Sequence, residues 1–134
     1  MISQLGHLQY NVRPDNLPFY RDLFGQLGWK TLHDGDAFLG LAGDGPASIW
    51  FAGMANDHVN DYDGAGHNHL GITVSSLADV DAMAAWLGAR GIGLLFDTPR
   101  HRPEFAGGEG QTYYQIMFET PDRILMEIVY SGAM

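Results

Sequence analysis

The sequence predicts an α+β fold made of two copies of one module, in the order strand, helix, strand, strand, strand. The main observation is an internal repeat, because residues 7–12 read HLQYNV and residues 69–74 read HLGITV. Both segments alternate with the two-residue period of a β-strand, and a segment with helical spacing follows each. The repeated order of elements indicates a duplicated module.

A helix is predicted after each repeat segment. In the first copy apolar residues recur at helical spacing until Gly28, a residue type that commonly ends helices. In the second copy Ser76 and Asp79 have the spacing of a capping box, with Asp in place of the usual Glu. Gly88 and Gly91 are predicted to terminate this second helix.

Three short strands are predicted beyond each helix, separated by turn residues. They cover 29–32, 37–41 and 47–51 in the first copy, and 92–96, 112–118 and 124–130 in the second. The two modules of this single domain then span residues 1–53 and 67–134, joined by a polar linker at 54–66. A second irregular stretch, 97–111, is long for a compact domain, so we expect it to be a functional or mobile loop, such as a lid.

Composition restricts the classes of protein and of site. Seven basic residues face sixteen acidic ones among 134, and the formal net charge of -9 disfavours binding to nucleic acid or anionic membranes. The absence of cysteine excludes disulfides and thiolate ligands, so a metal has to use His nitrogen and carboxylate oxygen. Residues 1–12 do not resemble a signal peptide, and no apolar run nears the ~20 residues that cross a bilayer, so we expect a cytoplasmic protein.

Glu127 is the most informative polar residue, because it interrupts the apolar run ILMEIVY at 124–130. A buried carboxylate without a partner is strongly destabilising, and its neighbours on the same strand face are apolar. A metal ion meets this need, with His7 and His69 at the heads of the repeat segments as neutral nitrogen donors. A single His is more often a surface or hydrogen-bonded side chain, so the prediction depends on the three residues together.

Three parts of the chain resemble a known family. They read HLQYNV at 7–12 with FYRDLFG at 19–25, HNHLGITV at 67–74, and FETPDRILME at 118–127. In this order and spacing they are similar to the vicinal oxygen chelate superfamily, which includes glyoxalases, extradiol dioxygenases, fosfomycin-resistance transferases and bleomycin-resistance proteins. The last segment departs from the family's Asp-Pro-Asp-Gly turn, since Thr120 stands where Asp is usual and Arg123 where Gly is usual.

The resemblance implies a cupped eight-stranded mixed sheet, with four strands from each module and metal ligands on the first and last strands. His7, His69 and Glu127 then hold one divalent ion, for which Fe2+, Mn2+, Ni2+ and Zn2+ are candidates. The fourth ligand place falls within residues 48–51, which offer no carboxylate, amide or imidazole. Three protein ligands leave positions open for water or substrate, which favours chemistry or ligand chelation over a structural role.

The candidate catalytic residues are Tyr113, Tyr114 and His101. The tyrosines alternate on the strand next to that of Glu127, so one of them faces the metal side, where a phenol can donate a proton or a hydrogen bond. Packing is the alternative for either ring. His101, with Arg100 and Arg102, is a candidate base or contact for an anionic substrate, whereas a solvated cluster is the alternative.

The predicted function is that of a divalent-metal-dependent lyase, isomerase or dioxygenase acting on a small substrate chelated through adjacent oxygens. The alternative is a metal-free drug-binding protein of the bleomycin-resistance type, for which the acidic charge and the aromatic residues Trp29, Trp50 and Phe51 are suited. Both functions allow a homodimer, which we expect. In this superfamily the two modules of one cup come from one chain or from two, so His7 meets Glu127 either of its own chain or of a second copy.

Overall fold

The computed structural model describes residues 1–134 and confirms the α+β prediction. The chain separates into two compact units, Met1–Val59 and Asn60–Met134, and each has one α-helix and one four-stranded mixed sheet. Both units follow the predicted order strand, helix, strand, strand, strand. Neither α-helix is long and apolar enough to cross a membrane.

The first unit has its first strand parallel to its last. Its elements are β1 (His7–Asn11), a 3-10 turn (Pro14–Asn16), α1 (Leu17–Gln26), β2 (Lys30–Asp34), β3 (Phe38–Ala42) and β4 (Ser48–Ala52). The strand order is β1-β4-β3-β2, with β1 parallel to β4 and the other neighbours antiparallel. Helix α1 lies in the connection between β1 and β4, as expected because parallel strands need a long crossover connection.

The core of the first unit is aromatic. Helix α1 buries one face, which includes Tyr20 and Phe24, against the face of β4 that carries Phe51. The Tyr20 ring stacks on the Phe51 ring with 4.2 Å between centroids, and the Phe24 ring lies 5.6 Å from the Phe51 ring. Beyond the helix Gly28 adopts a φ of +80°, a left-handed conformation that glycine accommodates without strain, so the predicted end of the helix is confirmed.

The second unit repeats the topology with longer central strands. Its elements are β5 (Leu70–Thr73), α2 (Leu77–Ala89), β6 (Arg100–His101), a 3-10 turn (Pro103–Phe105), β7 (Gln111–Glu119) and β8 (Leu125–Ala133). The strand order is β5-β8-β7-β6, with β5 parallel to β8. The buried residues of helix α2 are Val80, Met83 and Leu87, which recur at helical spacing on one face of the helix.

One predicted strand is wrong. Residues 92–96 form no strand, and the segment reaches β7 through one backbone hydrogen bond, from the Leu95 amide to the Met117 carbonyl at 2.8 Å. Phe96 and Asp97 then adopt φ values of 57° and 56°, which turn the chain away before a ladder can form.

The edge strand β6 lies instead within residues 97–111, which the sequence predicts to be irregular. It is only two residues long, and β7 pairs Gln115 with Arg100 and Tyr114 with His101. The segment is therefore partly ordered by backbone pairing. That register also decides which of its side chains lie on the same face as β7 side chains.

Helix α2 begins as predicted and ends later than its first glycine. Gly88 lies inside the helix, and Gly91, with a φ of +73°, follows its end. The Ser76 hydroxyl accepts a hydrogen bond from the Asp79 backbone amide at 3.1 Å, which satisfies one of the free donors of the first turn.

Replacement of the cap tests this helix start. We expect Ser76→Ala to lower the free energy of unfolding by about 1 kcal/mol, since alanine offers no acceptor to the free amide. Urea unfolding followed by circular dichroism measures the change. Ser75→Ala is the control, because the Ser75 hydroxyl bonds only the exposed Asp79 carboxylate and its loss should cost less. Equal effects of the two variants would argue against the capping role.

Candidate metal centre

Glu127 occupies the centre of the second sheet. It lies on β8, paired with Gly71 of β5 on one side and with Met117 of β7 on the other, and it is 5% exposed. A Cβ atom at Gly71 would stand 3.5 Å from the Glu127 Oε1 atom, so the glycine leaves the space beside the carboxylate open. The predicted burial of this carboxylate is confirmed.

Two side chains of β7 hold the Glu127 carboxylate. The Tyr113 hydroxyl donates to Oε1 at 2.5 Å, and the Gln115 side-chain amide donates to Oε2 at 2.5 Å. Tyr113 and Gln115 are two residues apart, so they share one face of the strand. Each carboxylate oxygen offers two lone pairs, which leaves one on each oxygen for a cation.

His69 directs its Nε2 atom towards Glu127, 3.9 Å from Oε2. Its tautomer follows from Asn68, whose amide nitrogen donates to the Tyr62 carbonyl at 2.9 Å. The Asn68 oxygen therefore faces His69 Nδ1 at 2.7 Å, and an amide oxygen only accepts, so Nδ1 carries the proton. In the neutral ring Nε2 then holds a lone pair on the side of the carboxylate.

Tyr113 acts as a hydrogen-bond donor in this arrangement. Burial raises the pKa of the Tyr113 hydroxyl well above its ordinary value of 10.0, and the hydrogen bond to Glu127 raises it further. The phenol therefore keeps its proton throughout the physiological range.

Gln115, like Asn68, belongs to this cluster although the sequence analysis does not predict it. Its side-chain oxygen accepts from Arg102 Nη1 at 3.2 Å, and because a guanidinium only donates, the amide is oriented with its nitrogen towards Glu127. The sequence contains a signal for this role, because Gln115 is a polar residue two positions after Tyr113 in a predicted strand and therefore lies on the same face. Gln115 is 2% exposed, so its hydrogen-bonding groups need the partners they have.

Tyr114 and His101 lie on the opposite face of the sheet from this cluster. The Tyr114 hydroxyl donates to Asp81 of helix α2 at 2.7 Å, and its ring lies 4.5 Å from the His101 ring. His101 Nδ1 is 2.6 Å from the Thr112 hydroxyl oxygen. Neither residue contacts Glu127. The hydrogen bond of Tyr114 joins β7 to helix α2, and that of His101 joins β6 to β7.

His7 begins β1 in the first unit and is exposed. The strand register shows which residue of the first unit corresponds to Glu127. In the second unit Gly71, two residues after His69, pairs with Glu127. In the first unit Gln9, two residues after His7, pairs with Trp50. The fourth ligand place of the repeat is therefore occupied by Trp50. Its ring lies over Gly40, within 2.5 Å of the position that a Cβ atom there would take.

The second unit brings two of the three predicted ligands together. No group of three or more His, Asp or Glu side chains in the structure is arranged to hold a metal ion. The His69 and Glu127 pair fits one chemically, since its 3.9 Å separation is less than two metal–ligand bonds of about 2.1 Å each. A lone pair on Nε2 and a buried carboxylate are the donors that borderline divalent ions accept.

Comparison with known proteins decides the family. The model of the Glyoxalase/Bleomycin resistance protein/Dioxygenase superfamily matches residues 4–128. The chain belongs to this superfamily. A superfamily fold is also seen in the crystal structure of a "putative glyoxalase" from Bacillus halodurans, with a TM-score of 0.76, 26% identity and coverage of 95% of both chains.

Two further comparisons show how far the likeness of this superfamily member to other proteins extends, one in fold and one in sequence. The fosfomycin resistance protein FosX from Listeria monocytogenes, crystallised with Mn(II) and sulfate, has a TM-score of 0.66 and 20% identity over 96% of this chain and 90% of its own. The uncharacterized protein YqjT of Bacillus subtilis is 42% identical over 64 residues. That match spans 48% of this chain and 46% of YqjT, so the chain covers about half of that curated relative.

Proposed function

We propose that this chain is a divalent-metal-dependent enzyme that acts on a small substrate chelated through adjacent oxygens, by lyase, isomerase or dioxygenase chemistry. The observation that carries the proposal is the buried Glu127 carboxylate, which faces the Nε2 lone pair of His69 and has no cationic side chain bonded to it. A buried carboxylate with neutral partners alone is costly, and a metal ion removes that cost.

The residues of the second unit have separate roles in this proposal. His69 and Glu127 hold the ion, and Tyr113 and Gln115 fix the orientation of the carboxylate through their two hydrogen bonds. When bound, a divalent ion supplies Lewis-acid polarisation of substrate oxygens. Tyr113 is the one predicted catalytic residue that we retain, because it keeps its proton and lies against the carboxylate.

A metal titration tests the proposal. Protein purified without chelators should bind about one equivalent of Mn(II), Fe(II), Ni(II) or Zn(II) per chain. Mn(II) is the first choice, because FosX of the same fold was crystallised with it. Uptake of less than about 0.1 equivalent of all four ions would contradict the proposal and favour the metal-free drug-binding alternative.

His7 is the predicted third ligand, and the repeat is the basis for that prediction. If it is correct, His7→Ala weakens metal binding, whereas substitution of the exposed His58 in the same unit leaves it unchanged. The proposal also includes a homodimer, and sedimentation equilibrium with and without metal tests it.

Asn68 is a positioning residue for the proposed ion, and its role has a separate test. We expect Asn68→Ala to weaken Mn(II) binding by about 10–100-fold, the usual cost of losing a partner of a ligating histidine. In the metal-free protein, nitrogen chemical shifts of the His69 ring should change from a single tautomer with Nδ1 protonated to a mixture. Asn60→Ala is the matched control, since Asn60 bonds the Arg123 carbonyl and touches neither ligand. Unchanged ring shifts in Asn68→Ala would contradict the assignment.

A further inference from the structure

Two arginines of the edge strand lie on the same face of the sheet as Glu127. In the register of β6 and β7, Arg100 is opposite Gln115, and the Arg102 amide donates to the Tyr113 carbonyl at 2.7 Å. Residues that are opposite each other in a ladder share a face, so both arginines lie on the Gln115 face. His101, between them, lies on the other face.

The Arg102 guanidinium is fixed in position and is only partly used. Its Nε donates to Glu104 at 2.6 Å and its Nη1 to Gln115 at 3.2 Å, which leaves Nη2 without a protein partner. The Phe105 ring lies under it, with 4.9 Å from the guanidinium carbon to the ring centroid. The side chain is 25% exposed, so solvent or a ligand reaches the unused edge.

Arg100 differs from the other arginines in its surroundings. Arg13, Arg21 and Arg123 each lie within 4.0 Å of a carboxylate oxygen. Arg100 is exposed and makes no hydrogen bond or close ion pair, and its charge acts only at longer range on Glu104, whose pKa it helps to lower. Two guanidinium groups on this edge face one carboxylate, that of Glu104, so the edge is a local positive region in a chain with sixteen acidic residues and seven basic ones.

We propose that Arg100 and Arg102 form a subsite for an anionic group, a carboxylate or a phosphate, of the substrate whose other oxygens meet the metal at Glu127. This inference rests on the proposed function for its substrate and on the β6 register for its geometry. Planar guanidinium groups bind carboxylates and phosphates through paired hydrogen bonds. One amide side chain, that of Gln115, separates Arg102 from Glu127, which places the anionic group next to the reacting oxygens. A net charge of -9 repels anionic ligands elsewhere, so the local cations also select where such a substrate binds.

Titration of the metal-free protein with inorganic phosphate and with acetate, at constant ionic strength, tests the subsite. The metal is omitted because it would bind the same anions. NMR signals of the arginine Nε–H groups and of the Gln115 amide should shift and saturate with one or both anions. We expect Arg102→Ala to weaken the binding by about tenfold, the effect of one charge-assisted hydrogen-bonded pair, and Arg100→Ala by a smaller factor.

Two variants separate a specific subsite from general charge. Arg90→Ala removes the same charge from the residue that follows helix α2, where the Arg90 guanidinium lies over the Trp86 ring, and it should leave anion binding unchanged. Glu104→Gln removes the competing carboxylate from Arg102 and should tighten the binding. Lack of saturation with both anions, or equal losses in Arg90→Ala and the two subsite variants, would overturn the inference. If Arg102→Ala does not fold, the variants Arg100→Ala and Glu104→Gln still test the subsite, because both residues are exposed.

The same proteins distinguish failure of the subsite from failure of the proposed function. The arginine variants should bind Mn(II) as the wild-type protein does. His69→Ala should lose Mn(II) and keep phosphate binding. Phosphate binding without Mn(II) binding in the wild-type protein would refute the metal-dependent function and leave the subsite in place, and the reverse pattern would refute the subsite alone.

Discussion

Glu127→Gln should abolish practical metal binding, with a loss of more than about 100-fold in Mn(II) affinity. Loss of an outer partner of a metal ligand typically costs 10–100-fold, and this substitution removes the charge of a ligand itself. The amide keeps the volume of the side chain, so the packing of β8 between β5 and β7 is preserved. Isothermal titration calorimetry measures the affinity, and circular dichroism verifies the fold.

Glu119→Gln is the matched control for that experiment. Glu119 is on β7 and also accepts a hydrogen bond from a tyrosine, that of Tyr62, but its side chain is 37% exposed and lies near Arg123. The Glu119→Gln protein should bind Mn(II) with wild-type affinity. A Glu127→Gln protein that binds within a few-fold of wild type would show that the ion, if bound, is held elsewhere.

Phe51→Ala should lower the free energy of unfolding by about 3–5 kcal/mol, the usual cost of truncating a buried phenylalanine. The Phe51 ring is 1% exposed, stacks on Tyr20 at 4.2 Å and lies 5.7 Å from the Tyr10 ring. Alanine leaves a void among the surrounding rings, which relax only partially into it. The loss is large against the roughly 5–15 kcal/mol by which domains are stable, so part of the population should be unfolded at 37 °C.

The control for Phe51 is the same substitution on the other side of the sheet. Phe38 of β3 is 38% exposed, so Phe38→Ala should cost about 1 kcal/mol, because less apolar area is withdrawn from water. Urea unfolding with tryptophan fluorescence and circular dichroism measures both variants. Similar losses in the two would contradict the assignment of Phe51 to the core.

The sequence predicted the fold well because the repeat is strong and each element has a local signal. The helix caps and the strands β7 and β8 were predicted within a few residues. The prediction of a strand at 92–96 is wrong because the apolar residues there fit a strand pattern, whereas the positive φ angles of Phe96 and Asp97 depend on the surrounding structure. The edge strand β6 was missed because two residues carry no periodicity.

The candidate site was predictable where one residue breaks a local pattern. Glu127 interrupts an apolar strand, so its burial and need for a partner followed from the sequence. The roles of Gln115 and Asn68 did not, because each depends on which atom of an amide faces which neighbour. That orientation is fixed by Arg102 and by the Tyr62 carbonyl, contacts that strand period alone does not reveal.

Trp50 and Gly40 restrict which residues each position of the first unit can hold. With its ring over the backbone of Gly40, Trp50 requires a residue without a side chain there, because even a Cβ atom would lie 2.5 Å from the ring. A carboxylate at position 50 would leave the backbone of Gly40 uncovered, so the effects of substitutions at positions 40 and 50 depend on each other.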